Sequence, residues 1–163
     1  MSVRTDSVSE SGEPPHSTAS DDAKSAALVD RIIAVAHLSS AAHVAVIGRR
    51  TLPLLLELLR RGCAAVRSLR PGAPSPDCEA ADLAWIVDAR TEGELDEALR
   101  AARSRAGNCG RVIVEGAEYA GRDGVAAIPR HALAAGLDVV SFDHVSRRLV
   151  LADANHYHLA VAD

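Results

Sequence analysis

The stretch His43-Val-Ala-Val-Ile-Gly48-Arg-Arg-Thr-Leu-Pro-Leu-Leu-Leu-Glu-Leu-Leu-Arg-Arg-Gly62 constrains this chain more than any other. Val44, Val46 and Ile47 form a short apolar run rich in β-branched residues, which predicts a buried strand. Leu52, Leu55, Leu56 and Leu59 then recur at helical spacing, and Gly62 is placed to stop the helix. A strand that turns directly into a helix is where a nucleotide-type cofactor binds. It does so through a G-x-G-x-x-G turn, because only glycine lets backbone and ligand approach so closely. Of that pattern only Gly48 is present, and two arginines follow it.

The rest of the chain alternates strand and helix. Residues 1–20 are rich in Ser, Glu, Pro and Gly with almost no large apolar side chains, which predicts a disordered tail ahead of a single domain over residues 21–163. Leu28, Ile32 and Val35 predict a helix over 21–38. Ala64 to Leu69 reads as a second strand closed by Arg70-Pro71-Gly72, and the proline-bearing stretch to Ala81 as a loop. Leu83 to Val87 is apolar throughout, so it is expected at the centre of a sheet. Thr91-Glu-Gly-Glu94 is a capping-box pattern, followed by Leu95, Leu99 and Ala102 on one helical face, with Gly107 or Gly110 ending the helix. Arg111 to Glu115 is a fourth strand, and residues 125–135 form a short helix starting near Ile128-Pro129 and ending at Gly136. Leu137–Phe142, Arg148–Leu151 and His156–Val161 follow with no helix between them, so they must pair antiparallel.

Composition excludes several classes. Aromatic residues are 2% of the 163, so the core must be built from Ala, Val, Leu and Ile. Lys24 is the sole lysine beside 17 arginines, which reflects a GC-rich coding bias and a bacterial-type protein. Five of the 22 acidic residues and one of the 18 basic ones lie in residues 1–22, so the net charge of −4 belongs to the tail and the body is neutral. A neutral body offers no general attraction to nucleic acid or anionic lipid. Cys63, Cys78 and Cys109 contain no C-x-x-C, which leaves them as reduced thiols. With no apolar signal region and no span of membrane length, a cytoplasmic location is expected.

Helices alternating with strands, then a closing antiparallel hairpin, resemble the class I S-adenosylmethionine-dependent methyltransferases across roughly residues 40–163. Ala81 to Asp88 is similar to that family's fourth strand. Ala98 to Glu115 is similar to its helix, glycine turn and fifth strand, and Gly136–Phe142 with His156–Asp163 to its closing hairpin. The resemblance implies a Rossmann-like α/β fold: a mostly parallel sheet flanked by helices, ending in a C-terminal antiparallel hairpin. It also implies S-adenosylmethionine as the possible cofactor. Three departures bear on that. The family's first loop carries an acid and a glycine-rich run where this chain has Val46-Ile-Gly48-Arg-Arg-Thr51. Its second strand ends in a ribose-holding acid where this chain has Leu69-Arg70. Finally, Arg70 to Asp82 leaves no room for the usual third strand and its flanking helices. No cofactor is therefore expected.

Six residues stand out as candidates for a binding site. Gly48, Arg49, Arg50 and Thr51 lie at a helix N-terminus, where two guanidiniums either clamp an anion or are solvated charges beside a capping threonine. Asp88 and Glu115 end two predicted neighbouring strands. There they either receive a ligand hydroxyl or serve locally, Asp88 as a loop cap and Glu115 as a partner of Arg49 or Arg90. His156 and His158 share one face of a strand, with Asp143-His144 nearby, but spacing specifies no third ligand and no metal is expected. Hydrolase and nucleoside triphosphatase motifs are missing. The leading reading is a methyltransferase-like protein with a degenerate cofactor loop, a non-catalytic module for binding or assembly as a homodimer or with a protein partner. The alternatives are a small-molecule methyltransferase and a nucleotide- or anion-sensing domain.

Overall fold

Three apolar runs pair in parallel to make the heart of the sheet: β1 (His43–Ile47), β3 (Leu83–Ile86) and β4 (Arg111–Glu115). The computed structural model describes residues 18–72, 80–107, 110–115, 121–143, 145 and 147–153. β2 (Ala65–Leu69) adds in parallel outside β1, and the antiparallel pair β5 (Leu137–Asp143) and β6 (Arg148–Asp153) closes the other side. The six-strand order is β2-β1-β3-β4-β6-β5. Every residue of β3 is buried, as its unbroken apolar run predicts for a central strand.

Alternation along the strands feeds two cores. Val44, Val46, Trp85 and Ile113 face α1 (Thr18–Ala36) and α2 (Leu52–Arg60), which contribute Val29, Ile32, Leu54 and Leu58. Ile47, Ile86, Val114 and Leu149 face the opposite way, onto α3 (Glu92–Ala106) and α4 (Gly121–Ala134), which contribute Leu95, Leu99, Ile128 and Ala132. With so few aromatics, the fully buried Trp85 is the largest side chain in either core. Cys63 is free and buried, and burial pushes its thiol up.

Several boundaries differ from the sequence reading. α1 begins at Thr18, three residues inside the expected tail, and ends at Ala36. His37, at φ 49°, takes the left-handed position after the helix while the Leu38 amide donates to the Ile33 carbonyl, a Schellman closure made without glycine. α4 starts at Gly121, so Pro129 lies inside the helix rather than near its start, and only one helical N–H is lost there. The strand completing the hairpin is Arg148–Asp153, which slots between β4 and β5. The other expected partner, His156–Asp163, lies outside the described residues, as do His144, Cys78, Cys109 and residues 1–17. No helix among the described residues is long and apolar enough to cross a membrane.

Candidate functional site

The chain runs from β1 out to β2 and returns to β3 on β1's other side. This makes the carboxyl ends of β1 and β3 the switch point at which open α/β sheets bind ligands. At that point the backbones stay joined beyond the strands themselves. The Val87 amide donates to the Ile47 carbonyl at 2.9 Å, and the Gly48 amide to the Leu69 carbonyl at 3.0 Å, so the ladder continues past the strand ends. A Cβ on Gly48 would stand 2.5 Å from the Val87 carbonyl oxygen and 2.7 Å from Val87 Cγ2. The one glycine retained from the phosphate-loop pattern is thus required by the contact between β1 and β3.

The residues after it part company. The exposed Arg49 guanidinium pairs with Glu94 on α3. Glu94 closes the capping box from the other side: its amide donates to Thr91 Oγ1 at 3.1 Å, and its carboxylate accepts the Arg90 amide at 2.9 Å. That amide first, and the Arg49 charge after it, hold the Glu94 carboxyl below the usual carboxylate range. Arg49 also lines an open hollow of about 530 Å³ with Arg70, Pro71, Glu94 and Glu97, where no acid ends β2. Thr51 occupies the N-cap position of α2 but makes no side-chain cap. It is buried, and its hydroxyl meets Ser68 Oγ on β2 at 2.6 Å.

Arg50, Asp88 and Glu115 do come together. They line one cleft of about 280 Å³ with Leu28, Leu54, Val87 and Arg90. Asp88 sits at φ 57°, a left-handed conformation that only local hydrogen bonding makes tolerable outside glycine. Its carboxylate takes Arg90 Nε at 3.0 Å. Glu115 is paired across the sheet with Arg148 (Nη2 to Oε1 at 2.5 Å), and the two side chains are 13% and 3% exposed. The second oxygen of Glu115 is buried with no hydrogen-bond partner among the described residues. Arg50 is exposed and makes no polar contact with a described residue. The cleft therefore offers a cation beside two carboxylates that already have guanidinium partners.

The expected pairings of Glu115 with Arg49 or Arg90 are replaced by Arg148, because β6, not a neighbouring loop, lies beside Glu115. Arg90, two residues beyond Asp88, was within reach of sequence reasoning. Arg148 and Leu28 were not, since only the strand order and the path of α1 bring them in. Among the described residues no group of three or more metal-ligating side chains occurs.

The frame around this cleft is shared with solved structures. A TehB-like S-adenosylmethionine-dependent methyltransferase from Corynebacterium glutamicum aligns at TM-score 0.56 and 15% identity over 78% of this chain and 84% of that one. DesVI from Streptomyces venezuelae aligns at 0.60 and 13% over 88% and 100%. The sugar N-methyltransferase KedS8 from Streptoalloteichus aligns at 0.57 and 13% over 94% and 98%. The fold is that of the class I S-adenosylmethionine-dependent methyltransferases. No protein-family model and no curated protein matches the sequence. Within this methyltransferase-like fold, the neighbours' identities are low enough that the likeness speaks for the frame and not for the chemistry.

Proposed function

We propose that this chain is a non-catalytic binding module, working in the cytoplasm, that keeps the methyltransferase frame without its cofactor site. One observation carries the reading: Gly48 is pressed against Val87, and Arg50 stands where the second glycine of G-x-G would let a ligand approach the backbone. Two further features support it. The positive charge of Arg49 and Arg50 opposes a sulfonium, and β2 ends in Leu69-Arg70 with no acid for ribose hydroxyls. What the cleft offers instead is Arg50 for an anionic group, with Asp88 and Glu115 beside it for hydroxyls. This suits a small anionic, hydroxylated molecule.

A second reading, methyl transfer to a small molecule, is favoured by the frame shared over nearly the full length of KedS8 and by two carboxylates in one cleft. A thermal-shift panel separates the two. Phosphate and sugar phosphates should raise the melting temperature, and Arg50→Ala should abolish the rise, while S-adenosylmethionine and S-adenosylhomocysteine leave it unchanged. A ligand at about 100 times its dissociation constant adds about 2.7 kcal/mol, a readily visible shift. A rise with S-adenosylhomocysteine alone would reverse the assignment.

A further inference from the structure

One charge in the cleft has no answer. Asp88 has Arg90 and Glu115 has Arg148, while Arg50 is exposed and makes no polar contact with a described residue. Leu28, Leu54 and Val87 give the same cleft an apolar wall. A guanidinium beside such a wall fits a carboxylate that is followed by apolar groups. The body of the chain is neutral, and its excess of acid lies ahead of it: residues 1–17 hold Asp6, Glu10 and Glu13 against Arg4.

α1 aims that acid at the cleft. Arg111, at the start of β4, donates to the Val35 carbonyl at 3.4 Å, so α1 ends at the amino edge of the sheet. Leu28 lines the cleft at the carboxyl edge, so α1 starts beyond that edge and descends past it. Asp22, Ala23 and Lys24, on its first turns, are exposed. Thr18 stands ten residues, about 15 Å, above Leu28. Glu13 precedes Thr18 by five residues, an extended reach of about 17 Å, and Pro14-Pro15 favours an extended link. Glu13 therefore spans the distance back to the cleft, and Glu10 spans it with slack.

We propose that residues 10–15 of this chain cover the cleft, with the Glu13 carboxylate on Arg50 and Pro14-Pro15 against Leu28 and Leu54. Three arguments favour this occupant. Its charge is opposite to that of Arg50. Its order matches the wall, because a chain descending from Thr18 meets Leu28 of α1 before Arg50 at the head of α2, as the prolines come before the acid. Its tether holds Glu13 near Arg50 at an effective concentration on the order of millimolar. An exposed ion pair contributes little alone, so the cover is partial and sensitive to salt. One consequence rests on the reading of Arg50 as the anion-binding group: the segment competes with the ligand. A cleft covered half the time binds its ligand about twofold more weakly.

A spin label on the full chain tests this, placed by Ser11→Cys with Cys78→Ser and Cys109→Ser, Cys63 being buried. Methyl spectra recorded without any ligand should show the Leu28, Leu54 and Val87 signals broadened. Those of Leu95 and Leu99, on the opposite face of the sheet, should stay sharp. Arg50→Gln, the pair Glu10→Gln and Glu13→Gln, or about 0.5 M salt should each remove the broadening. Glu118→Gln should leave it in place. No broadening in the unaltered cleft, or broadening that persists in Arg50→Gln, overturns the proposal. Loss in Glu118→Gln alone gives the cleft to residues 116–120 and overturns it as well. This outcome is independent of whether phosphate binds. Where phosphate does raise the melting temperature, the pair Glu10→Gln and Glu13→Gln should tighten its binding about twofold, and unchanged binding overturns the competition.

Discussion

Leu95 and Leu99 on α3 and Leu56 and Leu59 on α2 are the same residue at comparable helical spacing, but the first pair is fully buried while the second is about half exposed. What differs is the neighbour beyond. α3 packs on the sheet beside α4, to which it is tied by Asp96 with His131 at 2.6 Å and by Arg103 with the Ala135 carbonyl at 3.0 Å. α2 has α1 on one side and no described element on the other. Among the described residues, the centre of the sheet is covered by helices on both faces, while the outer side of α2 at the β1–β2 flank is not. The loop Gly48–Thr51 lies on that flank.

The contrast should be measurable as stability. Leu99→Ala, which opens a cavity between α3 and the sheet, should cost about 2–5 kcal/mol in urea unfolding. If it costs less than about 1 kcal/mol, the α3 side is no better packed than the flank. Glu115→Ala leaves the buried Arg148 guanidinium without its partner. A full removal of this kind costs about 3–5 kcal/mol, and because the cleft admits water beside Glu115 the expected loss is about 2–3 kcal/mol. Gly48→Ala sharpens the comparison at the loop itself. If Gly48 serves strand packing, the variant should lose about 1–3 kcal/mol as β1 and β3 are forced apart. If Gly48 serves a ligand instead, stability should be unchanged.

The smallest effects belong to the flank and the surface. Leu56→Ala should change stability by less than about 0.5 kcal/mol. Acid should reveal the network that fastens α2 to α1. Arg60 foremost, and Arg61, hold the Glu57 carboxyl below its usual value, and Arg61 does the same for Asp30. A carboxylate depressed in the folded state contributes above its unfolded value and loses that contribution as pH falls through the folded one. The melting temperature should therefore hold from neutrality down to a pH of about 4.5 and decline below it. Glu57→Gln should shallow that decline, and an unaltered acid limb would show that the network contributes nothing.

Most of the frame was legible because it rests on local signals. The β-branched runs at His43–Ile47 and Arg111–Glu115, the Thr91 cap and the stripe of Leu95, Leu99 and Ala102 each announce their element within a few residues. The antiparallel closure was legible from spacing alone. What escaped depends on contacts distant in sequence. β6 takes the place beside β4, so Glu115 meets Arg148 rather than a loop arginine. Thr51 turns to Ser68 on the neighbouring strand instead of capping its helix. Six nominated residues therefore resolve into three that share a cleft (Arg50, Asp88 and Glu115), one that faces a different hollow (Arg49) and two absorbed by packing (Gly48 and Thr51). Periodicity tells which face of an element is apolar. It does not tell whether anything lies against that face, and so the exposed leucines of α2 read in sequence as ordinary core.

The most direct test of the central claim is calorimetric titration of the full chain with S-adenosylmethionine. On the proposed reading, the arginines of the loop and Leu69-Arg70 at the end of β2 leave two charge-assisted cofactor contacts unmade, each worth on the order of 1.5–3 kcal/mol, or roughly ten- to a hundredfold in affinity. No saturable heat is expected at cellular concentrations of the cofactor. A dissociation constant of about 10 μM or tighter, near −7 kcal/mol, would contradict it and restore methyl transfer as the function of this fold.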